Sequence, residues 1–294
     1  MKILIKTTEE LQQFLKVDST FVVSTLYAYQ ESAIEQYLRD ALGEDLTDAL
    51  ADYYNADDPE AEADLDALLP YAQRVVAKFS FHTGAPNLDL KLTDSGFGVV
   101  NNQTLSPASK DRVNRFIESL EREGWAAVEM LLRFLESNQA DYPLWVESEA
   151  YTMTQRNYIN SAEDFDKYVS IGKSRLKFNE LRNAMDDVEI LEVNPVIGES
   201  LATKIKAEIK AGTLTAANLA LLFFIKRATA NLTAAYALDE KYRIKGEHYL
   251  SEVRKMLDRN PDAYPEYRDT IYVKEKTYQR FENSDENGFF VAGS

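Results

Sequence analysis

Apolar positions along this chain return every three or four residues, the spacing of a helix that buries one face. Leu26, Tyr29, Ala33 and Tyr37 keep this period, and so do Phe178, Leu181, Met185 and Val188. Val113, Phe116, Ile117, Leu120, Ala127, Leu131, Phe134 and Leu135 predict one long helix, in which Gly124 marks a kink or a close contact. From Thr213 to Lys241 the apolar residues surround the helix instead of lining one side, which predicts a central element.

The patterns occur twice, in the same order. Thr7-Thr8-Glu9-Glu10-Leu11-Gln12-Gln13-Phe14 resembles Ser161-Ala162-Glu163-Asp164-Phe165-Asp166-Lys167-Tyr168 at a shift of 154. Each puts a hydroxyl at a helix N-cap and acids in the first turn, where unpaired N–H groups and the helix dipole favour them. Leu42-Gly43-Glu44-Asp45-Leu46 matches Ile197-Gly198-Glu199-Ser200-Leu201 at 155. Leu68-Leu69 through Arg74 to Phe79 matches Leu221-Leu222 through Arg227 to Leu232 at 153. Leu135-Glu136-Ser137-Asn138-Gln139-Ala140-Asp141-Tyr142-Pro143 matches Leu257-Asp258-Arg259-Asn260-Pro261-Asp262-Ala263-Tyr264-Pro265 at 122.

The single drop in the shift has a location. Leu88-Asp89-Leu90-Lys91-Leu92 alternates strictly, Thr93-Asp94-Ser95-Gly96 turns, and Phe97-Gly98-Val99-Val100 is a second apolar run. That is the signature of a β-hairpin, and the second copy lacks it. The expected fold is therefore mainly α: two tandem helical bundles of a duplicated module, with a β-hairpin insertion in the first and an extended C-terminal tail. The first module spans 1–150 with its hairpin near 88–100, and the second spans 151–268. Their boundary falls in Asp141 to Asn160, where proline and polar residues break the periodicity. Residues 269–294 form the arm, in which Ile271-Tyr272-Val273 and Thr277-Tyr278 read as extended. Phe289 and Phe290, behind the polar run Glu282 to Asn287, either fold back onto their own module or dock on a neighbouring subunit.

Composition supports a packed core, with 45% apolar and 11% aromatic residues, and the eleven glycines and eight prolines are few enough to favour long helices. The chain has no cysteine, which excludes disulfides, thiolate metal sites and cysteine nucleophiles. A net charge of -16 opposes a phosphate-gripping surface and adsorption to anionic membranes. It suits a soluble part of an assembly, or the wall of a passage through which DNA slides without sticking. Ile3-Leu4-Ile5 is too short an apolar run for a signal peptide. Leu219 to Ile225 falls short of the roughly 20 residues of a membrane span, so no membrane partner is expected.

Chemistry is hard to find. No Gly-x-Ser-x-Gly and no phosphate-cradling glycine loop occurs. His82 and His248, the two histidines, lie at non-equivalent places in the repeat and suggest no metal site. Eleven acids and one base between Arg39 and Asp66 read as a solvated loop leading into a helix, with loose divalent-ion binding as the alternative. Asn283, Asp285, Asn287 and Gly288 imitate a calcium loop but place Ser294 where a bidentate Glu is required. Arg74 and Arg227, equivalent in the two copies, suggest matching helix-face ion pairs. No catalytic constellation, cofactor or metal emerges, and the expectation is an assembly component, not an enzyme.

Four features carry a resemblance: Ala41-Leu42-Gly43-Glu44-Asp45-Leu46, the Leu68 to Phe81 helix, the Leu88 to Val100 hairpin and the closing Phe134 to Trp145 segment. In that order they resemble virion proteins of phages and prophages from Bacteroidota, of the head–tail connector (neck) class. The resemblance implies a helical structural protein with projecting arms or loops, in a ring of about a dozen subunits below the portal. It implies partners that are further copies of the chain, the portal, and tail or other neck proteins, with DNA passing only as cargo. It places the protein in the virion, and in the host cytoplasm before assembly. The duplicated module departs from single-module adaptors, which leaves the ring number and the tier open. Leu88, Leu90, Leu92 and Phe97, with Val99, are the hairpin residues expected to contact neighbours; Tyr272, Tyr278, Phe289 and Phe290 are those of the tail. A cytoplasmic helical adaptor that binds one protein without forming a ring is the competing expectation.

Overall fold

The computed structural model describes residues 2–56, 62–88, 90–93, 96–99 and 109–269, with 90–93, 96–99 and 268–269 described by their backbone alone. The chain is mainly helical. Residues near the start join the core: Leu4 and Ile5 are fully buried. The buried Gln30 amide accepts from their N–H groups at 3.2 and 3.1 Å and donates to the Ile5 carbonyl at 2.9 Å. Gln73 Nε2 donates to the Leu4 carbonyl at 2.8 Å. An apolar run with a satisfied backbone can be buried at low cost.

Helix α1 (Thr8–Gln12) starts at a capping box in which Thr7 accepts from the Glu10 amide and the Glu10 carboxylate accepts from the Thr7 amide. Next come α2 (Tyr27–Ala33), a π-helical turn over Ile34–Leu38, and α3 (Arg39–Leu42). Gly43 ends this stretch at φ +80°, a region that glycine enters without a Cβ clash. Then follow α4 (Glu44–Asn55), α5 (Ala63–Gly84), strands β1 (Leu90–Thr93) and β2 (Gly96–Val99), and α6 (Lys110–Ser137). The strands pair antiparallel, Leu90 opposite Val99 and Leu92 opposite Phe97. Helices α5 and α6 pack antiparallel, as the contacts Lys78 to Glu123 and Tyr71 to Phe134 require. Short helices α7 (Pro143–Val146) and α8 (Glu149–Thr154) close the module, and Trp145 Nε1 donates to the buried Ala41 carbonyl at 3.0 Å.

The second copy repeats this plan. Helix α9 (Ala162–Asp166) has the same five-residue length as α1, and its Ser161 cap accepts from the Asp164 amide at 3.1 Å. Then come α10 (Arg175–Val188), a π-helical turn over Glu189–Val193, α11 (Asn194–Ile197), and Gly198 at φ +85°. Helices α12 (Glu199–Ala211), α13 (Ala216–Ala237) and α14 (Arg243–Arg259) follow, α13 having the 22 residues of α5.

Single contacts repeat as well. A Cβ on Gly124 would lie 2.7 Å from the Phe79 ring, and one on Gly246 would lie 2.6 Å from Leu232. The Tyr142 hydroxyl donates to the Asp64 carbonyl at 2.7 Å, and the Tyr264 hydroxyl to the Ala217 carbonyl at 2.9 Å. In both cases one member is shifted by 122 and the other by 153, the shifts read from the sequence. Similar amphipathic helices from unrelated origins do not reproduce side-chain contacts at fixed shifts.

The compact units do not follow the repeat. Packing divides the chain into unit 1 (Met1–Arg182) and unit 2 (Asn183–Ser294), later than the expected boundary in Asp141 to Asn160. The opening of the second copy belongs to unit 1, where Glu163 pairs with Arg133 of α6 at 3.0 Å and where Phe165 and Phe178 are buried with ring centroids 6.0 Å apart. Arg175 pairs in the same unit with the buried Glu129 of α6. Unit 1 buries a cluster around Leu38, Leu68, Phe79, Leu131 and Trp145 and another around Ile5, Leu11, Leu26 and Phe81. Unit 2 buries Ile197, Leu201, Leu221, Ile225, Leu232, Val253 and Leu257, with α13 packed along α14. The expected arm from residue 270 onward lies outside the described residues.

Candidate functional site

An open cleft of about 700 Å³ in unit 1 is walled by α3, α4, the α7–α8 link and α10. Gly43 lets the α3–α4 turn approach that link, since a Cβ there would lie 2.7 Å from Ser148 Cβ. Ser148 is a cap and not a nucleophile: its hydroxyl donates to the Trp145 carbonyl at 2.6 Å and accepts from the Tyr151 amide at 3.1 Å. Glu44, Asp45, Glu147 and Glu149 stand exposed on the rim, with Met153 between them and α10. Arg39 bridges Glu35, Glu44 and Asp48 at 3.0–3.1 Å, so its charge is spent on its own neighbours. Arg182 donates to the Met153 carbonyl at 2.9 Å. Burial raises the carboxyl pKa of Asp40, which joins this cleft to a cavity of about 90 Å³ behind it. The rim repels anions and accommodates a cationic or neutral protein surface.

Arg175 lines the inner cavity and hydrogen-bonds Glu129. The pair is incompletely satisfied, because Arg175 Nη1 and Glu129 Oε1 have no hydrogen-bond partner among the described residues. Glu136 lies close enough to be affected. Burial pushes its pKa up to about 7; Arg175 opposes the shift and Glu129 adds to it. This arrangement sets stability against pH. Among the described residues no three His, Asp or Glu side chains are grouped to hold a metal ion. His82 Nδ1 lies 3.2 Å from the Ile117 carbonyl, and Arg227 sits over the Phe223 ring at 3.7 Å. Arg74 contacts Met130 Sδ at 3.6 Å and the Phe14 ring, so the equivalent arginines each lie beside an aromatic ring. Among the described residues no single helix is long and apolar enough to cross a membrane.

Unit 2 carries a different surface. At the corner where α13 turns into α14, Tyr236, Leu238 and Ile244 are 64%, 55% and 79% exposed. Ile190 and Leu191 of the π-helical turn are 60% and 71% exposed. The Glu192–Arg243 ion pair at 2.9 Å ties that turn to the start of α14. In the first copy the equivalent turn buries Ile34 and Leu38 and exposes the two residues after Ile34, as the second buries Glu189 and Val193 and exposes the two after Glu189. The exposed pair is Glu35-Gln36 in one copy and Ile190-Leu191 in the other. Backbone and burial agree while the chemistry is opposite.

Of the expected interface residues, Leu88 is half-buried against the Phe81 and Leu120 cluster of its own module. Leu90, Leu92, Phe97 and Val99 occupy matched cross-strand positions in β1 and β2. Tyr272, Tyr278, Phe289 and Phe290 lie outside the described residues, as does the middle of the acidic run, residues 57–61. The sequence reading missed Ile190, Leu191, Tyr236, Leu238 and Ile244. For Ile190 and Leu191, aligning the copies position by position carries the signal, because only one copy is apolar where both are exposed.

The model of one family, described as a family of unknown function (DUF6712), matches residues 22–155, 193–241 and 237–277. No curated protein and no solved structure matches the chain. The first matched segment ends at 155 and the last at 277, which differ by the 122 that separates Tyr142-Pro143 from Tyr264-Pro265. The second copy is matched in two segments that meet at 237–241, the point where the first copy carries β1 and β2. With well over half of its residues matched, in both copies of the module, the chain belongs to the DUF6712 family of unknown function.

Proposed function

We propose that this chain is a structural virion protein, a head–tail connector subunit that assembles with further copies into a ring under the portal. The observation that carries the reading is the surface of unit 2, where Tyr236, Leu238 and Ile244 stand exposed at the corner and Ile190 and Leu191 stand exposed at positions that the other copy fills with Glu and Gln. A soluble chain keeps such a surface when protein covers it. The acidic balance supports the reading from a second side, since a lumen wall of net negative charge lets DNA pass without trapping it. Portal, tail and other neck proteins are the partners in this reading, and DNA is cargo.

Mass photometry of the purified chain, with and without a purified portal, tests it. A ring is the expected species. A one-to-one complex favours the second reading, a helical adaptor for a single protein, and a monomer under both conditions removes the ring. Deleting Asp269 to Ser294 is expected to abolish the ring while helicity by circular dichroism is kept; unchanged assembly would remove the arm from the account.

A further inference from the structure

The apolar corner of unit 2 needs an occupant, and the distribution of charge selects one. Residues 1–182 hold 18 basic and 31 acidic side chains, a net -13; residues 183–294 hold 15 and 18, a net -3. Two copies meeting through their first units bring like charges together, whereas a head-to-tail contact sets each strongly acidic unit against a nearly neutral one. Local chemistry points the same way. Lys241, Arg243 and Lys245 alternate with Tyr242 and Ile244 along the corner. Asp239 and Glu240 lie within 2.7 and 3.5 Å of Lys241 and Arg243, so the exposed Lys245 and the apolar side chains are what the corner offers a partner. The cleft of unit 1 offers the complement: Asp45, Glu147 and Glu149 exposed around Met153, which is 41% exposed, with Leu144 nearby in sequence at 42%.

We propose that the α13–α14 corner of one copy, together with the π-helical turn bearing Ile190 and Leu191 that the Glu192–Arg243 pair ties to it, docks in the acidic cleft of unit 1 of a second copy. The inference rests on the ring reading and deepens it by naming both halves of the subunit contact. A contact between different surfaces of identical chains leaves one surface of each kind open, so it propagates and closes only as a ring.

Two full-length variants test it. Ile190→Glu with Leu191→Gln gives the second copy the residues that the first copy carries in the same exposed turn, so the fold tolerates them. Glu147→Lys with Glu149→Lys reverses the rim of the cleft. By mass photometry and sedimentation each variant alone is expected to lose self-association by at least tenfold. An equimolar mixture is expected to form a one-to-one dimer that grows no further, because one intact corner meets one intact cleft. If the rim variant alone still dimerises, corner meets corner and the proposal fails. If neither variant differs from the parent chain, the contact is elsewhere and the ring reading survives without it. A parent chain that stays monomeric even with the portal, as it does if its own residues 270–294 or an unrelated protein cover the corner, ends both.

Discussion

Glu136 keeps its proton to about pH 7, far above the ordinary carboxyl value of 4.5, chiefly because it is buried. Its pKa is raised on folding, so between about pH 4.5 and 7 the unfolded chain loses this proton while the folded chain keeps it. Stability therefore falls as pH rises through that window. Glu136→Gln is expected to leave stability nearly unchanged at pH 5 and to raise it at pH 8 by on the order of 2 to 3 kcal/mol. Urea unfolding at the two values checks this, and an equal difference at both would show that ionisation is not the cause. Two glycines make a sharper steric statement. Gly124→Ala and Gly246→Ala each push a methyl into a packed side chain, Phe79 or Leu232, and are expected to cost about 1–3 kcal/mol. Gly172, at φ +68° with open space around it, should lose only about 1 kcal/mol, from backbone strain. Chemical denaturation of the three variants separates crowding from strain. Gly124 was legible in the sequence as a break in an apolar helix face. That it meets Phe79 was not, since the sequence does not say which helix lies opposite.

Each copy begins on a short capped helix, passes through a π-helical turn, stops at a glycine of positive φ, and later runs through a pair of long antiparallel helices. The caps, the glycines and the apolar faces were legible, because each depends on residues close in sequence. Thr7→Ala and Ser161→Ala are each expected to cost about 1 kcal/mol, by loss of an acceptor for one helix N–H. Thermal melts of the two variants check it, and a large difference between them would mean that the caps are not equivalent. The π-helical turns were not legible. One extra residue rotates the positions after it by about 100°, and in elements this short the pattern does not separate that from the start of a new helix. Nor did periodicity reveal that α10 is divided between units, since one continuous helix can serve two cores.

Where a unit ends is a property of the whole molecule. Glu129 is buried in unit 1, and Arg175, its counter-charge, arrives from the second copy of the module. A fragment ending at residue 160 loses Arg175, Phe165 and Phe178 together and leaves the Glu129 carboxylate without its guanidinium. One ending at residue 182 keeps all of them. The longer fragment is expected to melt cooperatively and the shorter to be less stable by at least about 3 kcal/mol, the cost of uncovering a buried charge. Calorimetry of both fragments decides between the division at Arg182 and one at residue 150. The sequence by itself determined that the chain is helical, that its module is duplicated and that it is strongly acidic, because periodicity, repetition and charge are carried by the order of residues alone. Only the tertiary structure decided which apolar residues stay in solvent, which charges are buried and where the units part. Ile190 and Leu191 read as core from their type, and Glu129 reads as surface. Burial depends on what the rest of the chain brings alongside, and no local pattern records that.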